Sequence, residues 1–183
     1  MKDDIQKAFR GYELAKNAGL KVLPTFRITE DEQMALMTYA GTNELEPIKQ
    51  SRSKDREPNE KALAISNLDD VLNQMEKQVR LATKANIQLG PDIFVYLLGK
   101  NDNRLDFVIV DTSDIRANEL RIGEKDLYKN NLLTVVISLE GLLMNLLYTG
   151  DALKTKKETK TYLKYQAQIR KFVQKHLENN ISA

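Results

Sequence analysis

Acidic side chains gather around two apolar segments in the middle of the chain, and such a cluster is a candidate for metal chemistry. Seven carboxylates fall between positions 92 and 124: Asp92, Asp102, Asp106, Asp111, Asp114, Glu119 and Glu124. Magnesium-dependent cleavage of phosphodiesters needs two or three carboxylates that converge on hard cations, often with a lysine nearby. Because Asp106 and Asp111 flank one apolar segment, they are the candidate ligands of a metal-dependent phosphodiesterase or nuclease site.

The same acids also have a structural interpretation. Asp102 lies in a turn sequence, where aspartate commonly bonds to the local backbone. Asp111 precedes a threonine and a serine in a pattern typical of a turn or helix cap. The spacing also lacks the acid, spacer and lysine that end the second strand in restriction-type nucleases. It therefore favours structural roles, and we predict no metal and no other cofactor.

Other catalytic chemistries have less support in the sequence. His176 is the only histidine, so one chain cannot form a two-histidine metal site, and its place near a helix C-terminus favours the protonated ring. The absence of cysteine excludes disulfides, thiolate catalysis and cysteine-ligated zinc. The eight glycines form no phosphate-binding loop. This pattern favours a protein that is not an enzyme.

A row of lysines near the C-terminus is the strongest lead to a binding function. At 100° per residue, a helix over residues 155–177 places Tyr165, Ile169, Phe172 and Val173 on one side. Five lysines share the opposite side: Lys157, Lys160, Lys164, Lys171 and Lys175. Such a row can contact successive phosphates of a nucleic acid, with binding that weakens steeply as salt rises. The alternative is that these lysines only solvate the outer face of a core helix.

The segment before this helix is apolar nearly all round. Residues 132–148 contain only Glu140 and Asn145 as strongly polar interruptions, which is short for a membrane span and carries a costly central carboxylate. We therefore predict either a central core helix or a homodimer element. The predicted dimer interface comprises Leu139, Leu142, Leu143 and Leu146. Glu140 then needs a partner, such as a C-terminal lysine or a backbone amide.

Periodicity predicts a predominantly helical α+β fold with a small antiparallel sheet. The sheet is built on a central β-hairpin at about 93–110, and residues 120–122 are expected to add a third strand. Helices are predicted at 3–18 and at 68–84, with Asn67 as the N-cap of the second. Another helix should begin at Thr29, with Glu32 completing a capping box. We predict an N-terminal helix–strand–helix segment over residues 1–43, a loop or linker over 44–60 and the main domain over 61–183; the alternative is a single domain overall.

One short segment has the spacing of a helix-turn-helix motif. Ala15 and Gly19 match the alanine and glycine of that motif, but Pro24 would fall inside the recognition helix, where it removes an amide donor. A glycine helix stop before an extended segment is the better interpretation.

Charge is distributed unevenly along the chain. The net charge is +2 overall, whereas residues 152–183 carry eight basic and two acidic side chains. The N-terminus has acids where a signal peptide would have a basic start and an apolar core, so we expect a cytoplasmic protein and no membrane partner. Lysine, asparagine and isoleucine are abundant and tryptophan is absent, as in proteins of AT-rich bacterial genomes and their mobile elements.

These observations lead to three functional hypotheses. The preferred one is a dimeric binding or regulatory protein that contacts nucleic acid, or an acidic protein surface, through the basic C-terminal helix. The second is a magnesium-dependent phosphodiesterase that uses the acids of the hairpin. The third is a structural protein-interaction module, whose lysines only keep it soluble.

Overall fold

The computed structural model describes residues 2–30, 35–48, 60–147 and 156–179. The helices in this part of the chain are α1 Lys2–Asn17, α2 Leu68–Lys84, α3 Glu124–Leu147 and α4 Lys156–Asn179. The strands are β1 Phe26–Ile28, β2 Ala35–Met37, β3 Leu45–Pro47, β4 Ile87–Gln88, β5 Phe94–Gly99, β6 Leu105–Ile109 and β7 Arg116–Ala117. The strands of each sheet pair antiparallel. The prediction of a mainly helical α+β fold is therefore confirmed.

The predicted hairpin forms the centre of the largest sheet. β5 and β6 pair with Phe94 opposite Ile109 and Leu98 opposite Leu105. Apolar residues run almost continuously along both strands because both faces of the sheet are covered. One face, with Phe94 and Phe107 in edge-to-face contact, packs against the helices. The other face belongs to a smaller core cluster of Leu23, Leu45, Leu97 and Val108.

The third strand of this sheet is β3, which comes from the segment predicted to be a loop. β3 pairs with β5, placing Leu45 opposite Gly99 and Pro47 opposite Leu97. Leu45 is buried, and that single apolar contact suffices for a three-residue edge strand. The strand predicted at 120–122 was wrong, since Leu120 lies in a turn and Arg121 has a φ of 49°, outside the extended region that a strand requires. Residues 49–59 of the predicted linker lie outside the described residues.

The helix predicted to begin at Thr29 was also wrong. β1 and β2 instead form a two-stranded ribbon in which Phe26 faces Met37. A helix would need a buried apolar face, whereas Leu36 and Met37 are 57% and 47% exposed. The segment instead pairs its backbone with β1. Residues 31–34, including Glu32 of the expected capping box, lie outside the described residues.

α1 ends as predicted and packs on a short 3₁₀ turn at Thr112–Asp114. Gly19 follows the helix with φ of 75°, the left-handed conformation that glycine adopts at low cost. Gly11 lets α1 approach closely, because a Cβ atom there would lie 1.8 Å from the carbonyl oxygen of Thr112. The Thr112 hydroxyl donates a 2.6 Å hydrogen bond to the Ala8 carbonyl across this contact.

α2 forms where its apolar stripe predicts, but Asn67 does not cap it with its side chain. The Asn67 amide is instead bound to the start of β6. Its nitrogen donates to the Leu105 carbonyl at 2.8 Å, and its oxygen accepts from the Leu105 amide at 2.8 Å. The side chain therefore mimics a strand partner and ties the beginning of α2 to the sheet.

α3 is longer than expected because its first two turns are amphipathic rather than uniformly apolar. Leu127 and Tyr128 are buried there, while Glu124 and Asp126 suit the positive end of the helix dipole. By length and composition alone, α3 is the one described helix that could cross a membrane, and half of its most apolar window is buried inside the chain. A core helix has the same character. Gly150 and Asp151, residue types that are common in turns, lie outside the described residues.

Candidate nucleic-acid interface

The helix that carries the predicted lysine row packs on α2 and α3 with its apolar side. Tyr165 and Ile169 are 2% and 1% exposed, and Phe172 and Val173 are half-buried against the same core. The amphipathic pattern that predicted a helix over 155–177 is thus confirmed in α4. Two polar contacts fix the helix further, one in its first half and one near its end.

The first contact is made by the hydroxyl of Tyr165. It accepts a hydrogen bond from the Ile65 amide at 2.8 Å and donates one to the Ala62 carbonyl at 3.0 Å. Burial raises the pKa of Tyr165, so the hydroxyl keeps the proton that it donates. This residue therefore joins α4 to the segment that precedes α2.

The second contact centres on the buried carboxylate of Glu76 in α2. The Tyr128 hydroxyl of α3 donates to it at 2.8 Å, and Arg80 forms an ion pair with the same oxygen. His176 of α4 places Nδ1 at 3.6 Å from that oxygen. The Arg80 guanidinium also lies 5.4 Å from the centre of the Tyr128 ring. Three helices therefore meet at one negative charge.

The ring of His176 lies in an environment that opposes its protonation. Burial lowers its pKa most strongly, the charge of Glu76 raises it, and the positive charges of Lys175 and Arg80 lower it further. The expectation that a helix C-terminus would favour the protonated ring was therefore wrong, because burial of the ring lowers its pKa more than the charge of Glu76 raises it. The ring packs on Phe172 with centroids 4.3 Å apart, so His176 acts as part of the α4 packing surface.

The described lysines of the row face solvent. Lys160, Lys164, Lys171 and Lys175 are all exposed. At 1.5 Å per residue, they extend along about 22 Å of one helix face. Lys157 belongs to the first turn of α4, and its side chain lies outside the described part of the structure.

Neither of the two acidic residues of α4 lies between Lys160 and Lys175. Glu158 points into the core and is 5% exposed. Glu178 lies beyond the last lysine, where it accepts a 2.9 Å hydrogen bond from Gln174. The surface from Lys160 to Lys175 is therefore a row of cations on a fixed helix.

The structure gives each candidate metal ligand a structural role. Asp106 forms an ion pair with Lys21 at 2.5 Å and accepts a bond from the Phe107 amide at 2.8 Å. Asp111 accepts bonds from the amide and hydroxyl of Ser113, at 3.1 Å and 2.6 Å, and so caps the 3₁₀ turn. Within the described ranges, no three histidine or acidic side chains converge as a metal site would require.

Two further acids of the hairpin region, Asp102 and Asp114, behave similarly. Asp102 accepts a 3.1 Å bond from the Arg104 amide within the hairpin turn, as its sequence context predicts. Asp114 forms an ion pair with Arg116 at 3.2 Å and lies 4.0 Å from the amine of Lys7. These carboxylates stabilise turns and neighbouring elements.

The leucines predicted to form a dimer interface lie inside the chain. Their exposed fractions are 0% for Leu139, 1% for Leu143, 2% for Leu142 and 7% for Leu146. A second copy cannot reach side chains that its own chain already covers. Dimerisation stays a prediction, and it requires another face of α3. On that face, Glu140 is half-buried, and among the described residues it has no ion pair or hydrogen bond.

The Glu76 contact is the polar feature that sequence reasoning missed. Its signal in the sequence is an acid within an apolar stripe, since Glu76 lies four residues after Leu72 and three before Val79.

The chain matches no protein-family model, no curated protein and no solved structure.

Proposed function

We propose that this protein is a non-enzymatic binding protein that contacts the phosphate backbone of a nucleic acid through the lysine row of α4. The supporting observation is that Lys160, Lys164, Lys171 and Lys175 are exposed along one face of a helix whose other face is held by the core. A charged row on a loose segment would lose conformational freedom on binding. Because α4 is anchored at Tyr165 and His176, it has already lost most of this freedom before it binds.

The length of the row suits a continuous phosphate backbone. About 22 Å of helix corresponds to roughly six nucleotides at 3.4 Å per phosphate along one strand. Lysine provides point charges, without the flat bidentate geometry by which arginine reads guanine or holds a phosphate. We therefore expect binding that depends on salt and discriminates little between sequences.

Titration of labelled DNA and RNA, single-stranded and duplex, at low and moderate salt tests the proposal. The test variant replaces Lys164, Lys171 and Lys175 together with glutamine. If each contacts one phosphate, the slope of log K against log salt should become shallower by roughly 2 to 3. Affinity at low salt should fall at the same time.

A matched control separates a specific surface from net charge. Lys7, Lys16 and Lys100 are exposed lysines outside α4, and their change to glutamine removes the same charge. The control should bind like the natural protein. Equal losses in the two triple variants would show that only net charge matters. No binding by the natural protein at low salt would refute the proposal outright, and salt-sensitive binding to an acidic protein in its place would point to the protein-partner alternative.

A magnesium-dependent phosphodiesterase has less support, because Asp106 and Asp111 are engaged by Lys21 and Ser113 and do not converge with a third acid among the described residues.

A further inference from the structure

The outer face of α3 carries apolar side chains that the chain leaves in solvent. Ile137 and Met144 are 61% and 43% exposed, and they lie seven residues apart on the helix. Leu133 and Glu140, both half-buried, complete the stripe at positions 133, 137, 140 and 144. This spacing of four, three and four residues is the repeat by which one helix packs along another.

A groove runs beside this stripe between α3 and α4. It has a volume of about 530 Å³, and Val136, Ile169 and Val173 contribute apolar lining. The groove and the stripe form one surface, which we call the α3–α4 face. Exposed apolar surface that continues into a groove is typical of a protein–protein contact.

A glycine within the same stretch of α3 has no role in packing against the described residues of its own chain. A Cβ atom added at Gly141 would meet no atom of those residues within 4 Å. A glycine in the interior makes a helix less stable than an alanine would, so the presence of Gly141 in this 24-residue helix needs an explanation. The close approach of another backbone is such a reason, because only glycine leaves room for it.

The α3–α4 face also carries one acid and one base that suit a second copy. Glu140 of α3 and Arg170 of α4 both line the groove, and neither has an ion pair among the described residues. In a two-fold symmetric contact, residue i of one copy meets residue j of the other, and j meets i. Two copies of a surface that carries one charge of each sign can therefore form two ion pairs with each other.

We propose that a second copy of this chain binds the α3–α4 face, forming a two-fold dimer in which Glu140 of each copy pairs with Arg170 of the other. Ile137 and Met144 are buried at the centre of this contact, and Gly141 lets the two α3 helices approach. The dimer uses the side of α3 opposite to its core leucines.

This proposal does not rest on nucleic-acid binding. On α4, Ile169 and Val173 lie about 140° or more around the helix axis from Lys164 and Lys171, and Arg170 lies about 100° from Lys171 and about 120° from Lys164. The lysine row therefore remains exposed in the dimer. A variant that loses dimerisation can therefore still be tested for nucleic-acid binding, and a variant that loses nucleic-acid binding can still be tested for dimerisation.

Gel filtration with light scattering tests the oligomeric state. The full chain should elute at twice 20.9 kDa. Ile137→Glu should shift it to the monomer, because it places a charge at the centre of the contact. Leu120→Glu is the matched control: Leu120 is 79% exposed and lies outside the α3–α4 face, so the dimer should persist. Circular dichroism checks that both variants keep their helices.

A charge exchange tests the arrangement itself. Glu140→Arg and Arg170→Glu should each weaken the dimer by roughly tenfold or more, because each brings like charges together. The double variant should recover the affinity, since the two pairs are restored with their signs exchanged. A monomer at every concentration, a dimer indifferent to Ile137→Glu, or a double variant no better than the single ones would overturn the proposal.

Discussion

The imidazole Nδ1 of His176 lies 3.6 Å from the carboxylate of Glu76, and this contact joins the last turns of α4 to the middle of α2. Burial lowers the pKa of the histidine more than the neighbouring acid raises it. The folded chain therefore binds a proton at this ring less readily than the unfolded chain does. The docking of α4 is thus linked to pH.

The first prediction concerns that linkage. Because the pKa is lower in the folded state, the neutral ring contributes full stability above the unfolded value of about 6.5, and this contribution falls as pH decreases through the folded value. Urea denaturation at about pH 7 and about pH 5 should show a loss of stability on acidification. His176→Gln should show a smaller loss. Equal losses in the two proteins would mean that other groups cause the effect.

The second prediction concerns the Tyr165 hydroxyl. Tyr165→Phe leaves the Ile65 amide and the Ala62 carbonyl without the bonds that this hydroxyl provides. We expect the free energy of unfolding to fall by about 1–3 kcal/mol in urea denaturation. Tyr39→Phe is the control, because Tyr39 is 74% exposed and its change should cost less than about 0.5 kcal/mol. An unchanged midpoint for Tyr165→Phe would contradict the anchoring role.

The third prediction concerns the contact between α1 and the 3₁₀ turn. Gly11→Ala places a methyl group against the Thr112 carbonyl, so the helix must move away and weaken the bond between Thr112 and Ala8. We expect a loss of roughly 1–3 kcal/mol, seen as a lower melting temperature. Gly123→Ala should be nearly neutral, since a Cβ atom there meets no atom of the described part of the chain within 4 Å. Similar melting temperatures for the two variants would be evidence against the close approach.

The fourth prediction separates two roles of Asn67. Aspartate caps helices about as well as asparagine, but it cannot donate to the Leu105 carbonyl. Asn67→Asp should therefore destabilise the fold by about 1–3 kcal/mol, although a simple capping role predicts almost no change. Asn73→Asp makes the same substitution at an exposed position of α2 and should be close to neutral. A neutral Asn67→Asp would support ordinary capping.

The elements that could be predicted are those whose own residues show a periodic pattern of apolar side chains. The stripe of α2 and the apolar strands around a turn at 99–104 each show a period that reports their own conformation. β2 and β3 have three residues each, too few to show a period, and they are stabilised by pairing with distant strands. Propensity around Thr29 therefore favoured a helix that tertiary pairing overrides.

The candidate surfaces were predictable to different degrees. The lysine row follows from helical spacing alone, so the exposed face of α4 could be read directly. α3 is apolar around most of its circumference, and no sequence pattern shows that the fold covers Leu139 and Leu143 while leaving Ile137 in solvent. The Glu76 contact brings together residues of three helices that lie far apart in the sequence.

The edges of the three-stranded sheet limit how this protein can associate. On one side, Ile48 donates inward to the Tyr96 carbonyl at 2.9 Å, so the alternation of the strand turns position 47 outward, where proline has no N–H to offer. On the other side, Ile109 and Lys21 join the sheet to the segment after α1 through a 2.8 Å backbone bond. Both borders are therefore poor templates for an added strand, which protects this sheet from edge-to-edge aggregation. A partner that binds this side of the protein is expected to meet side chains rather than extend the three-stranded sheet.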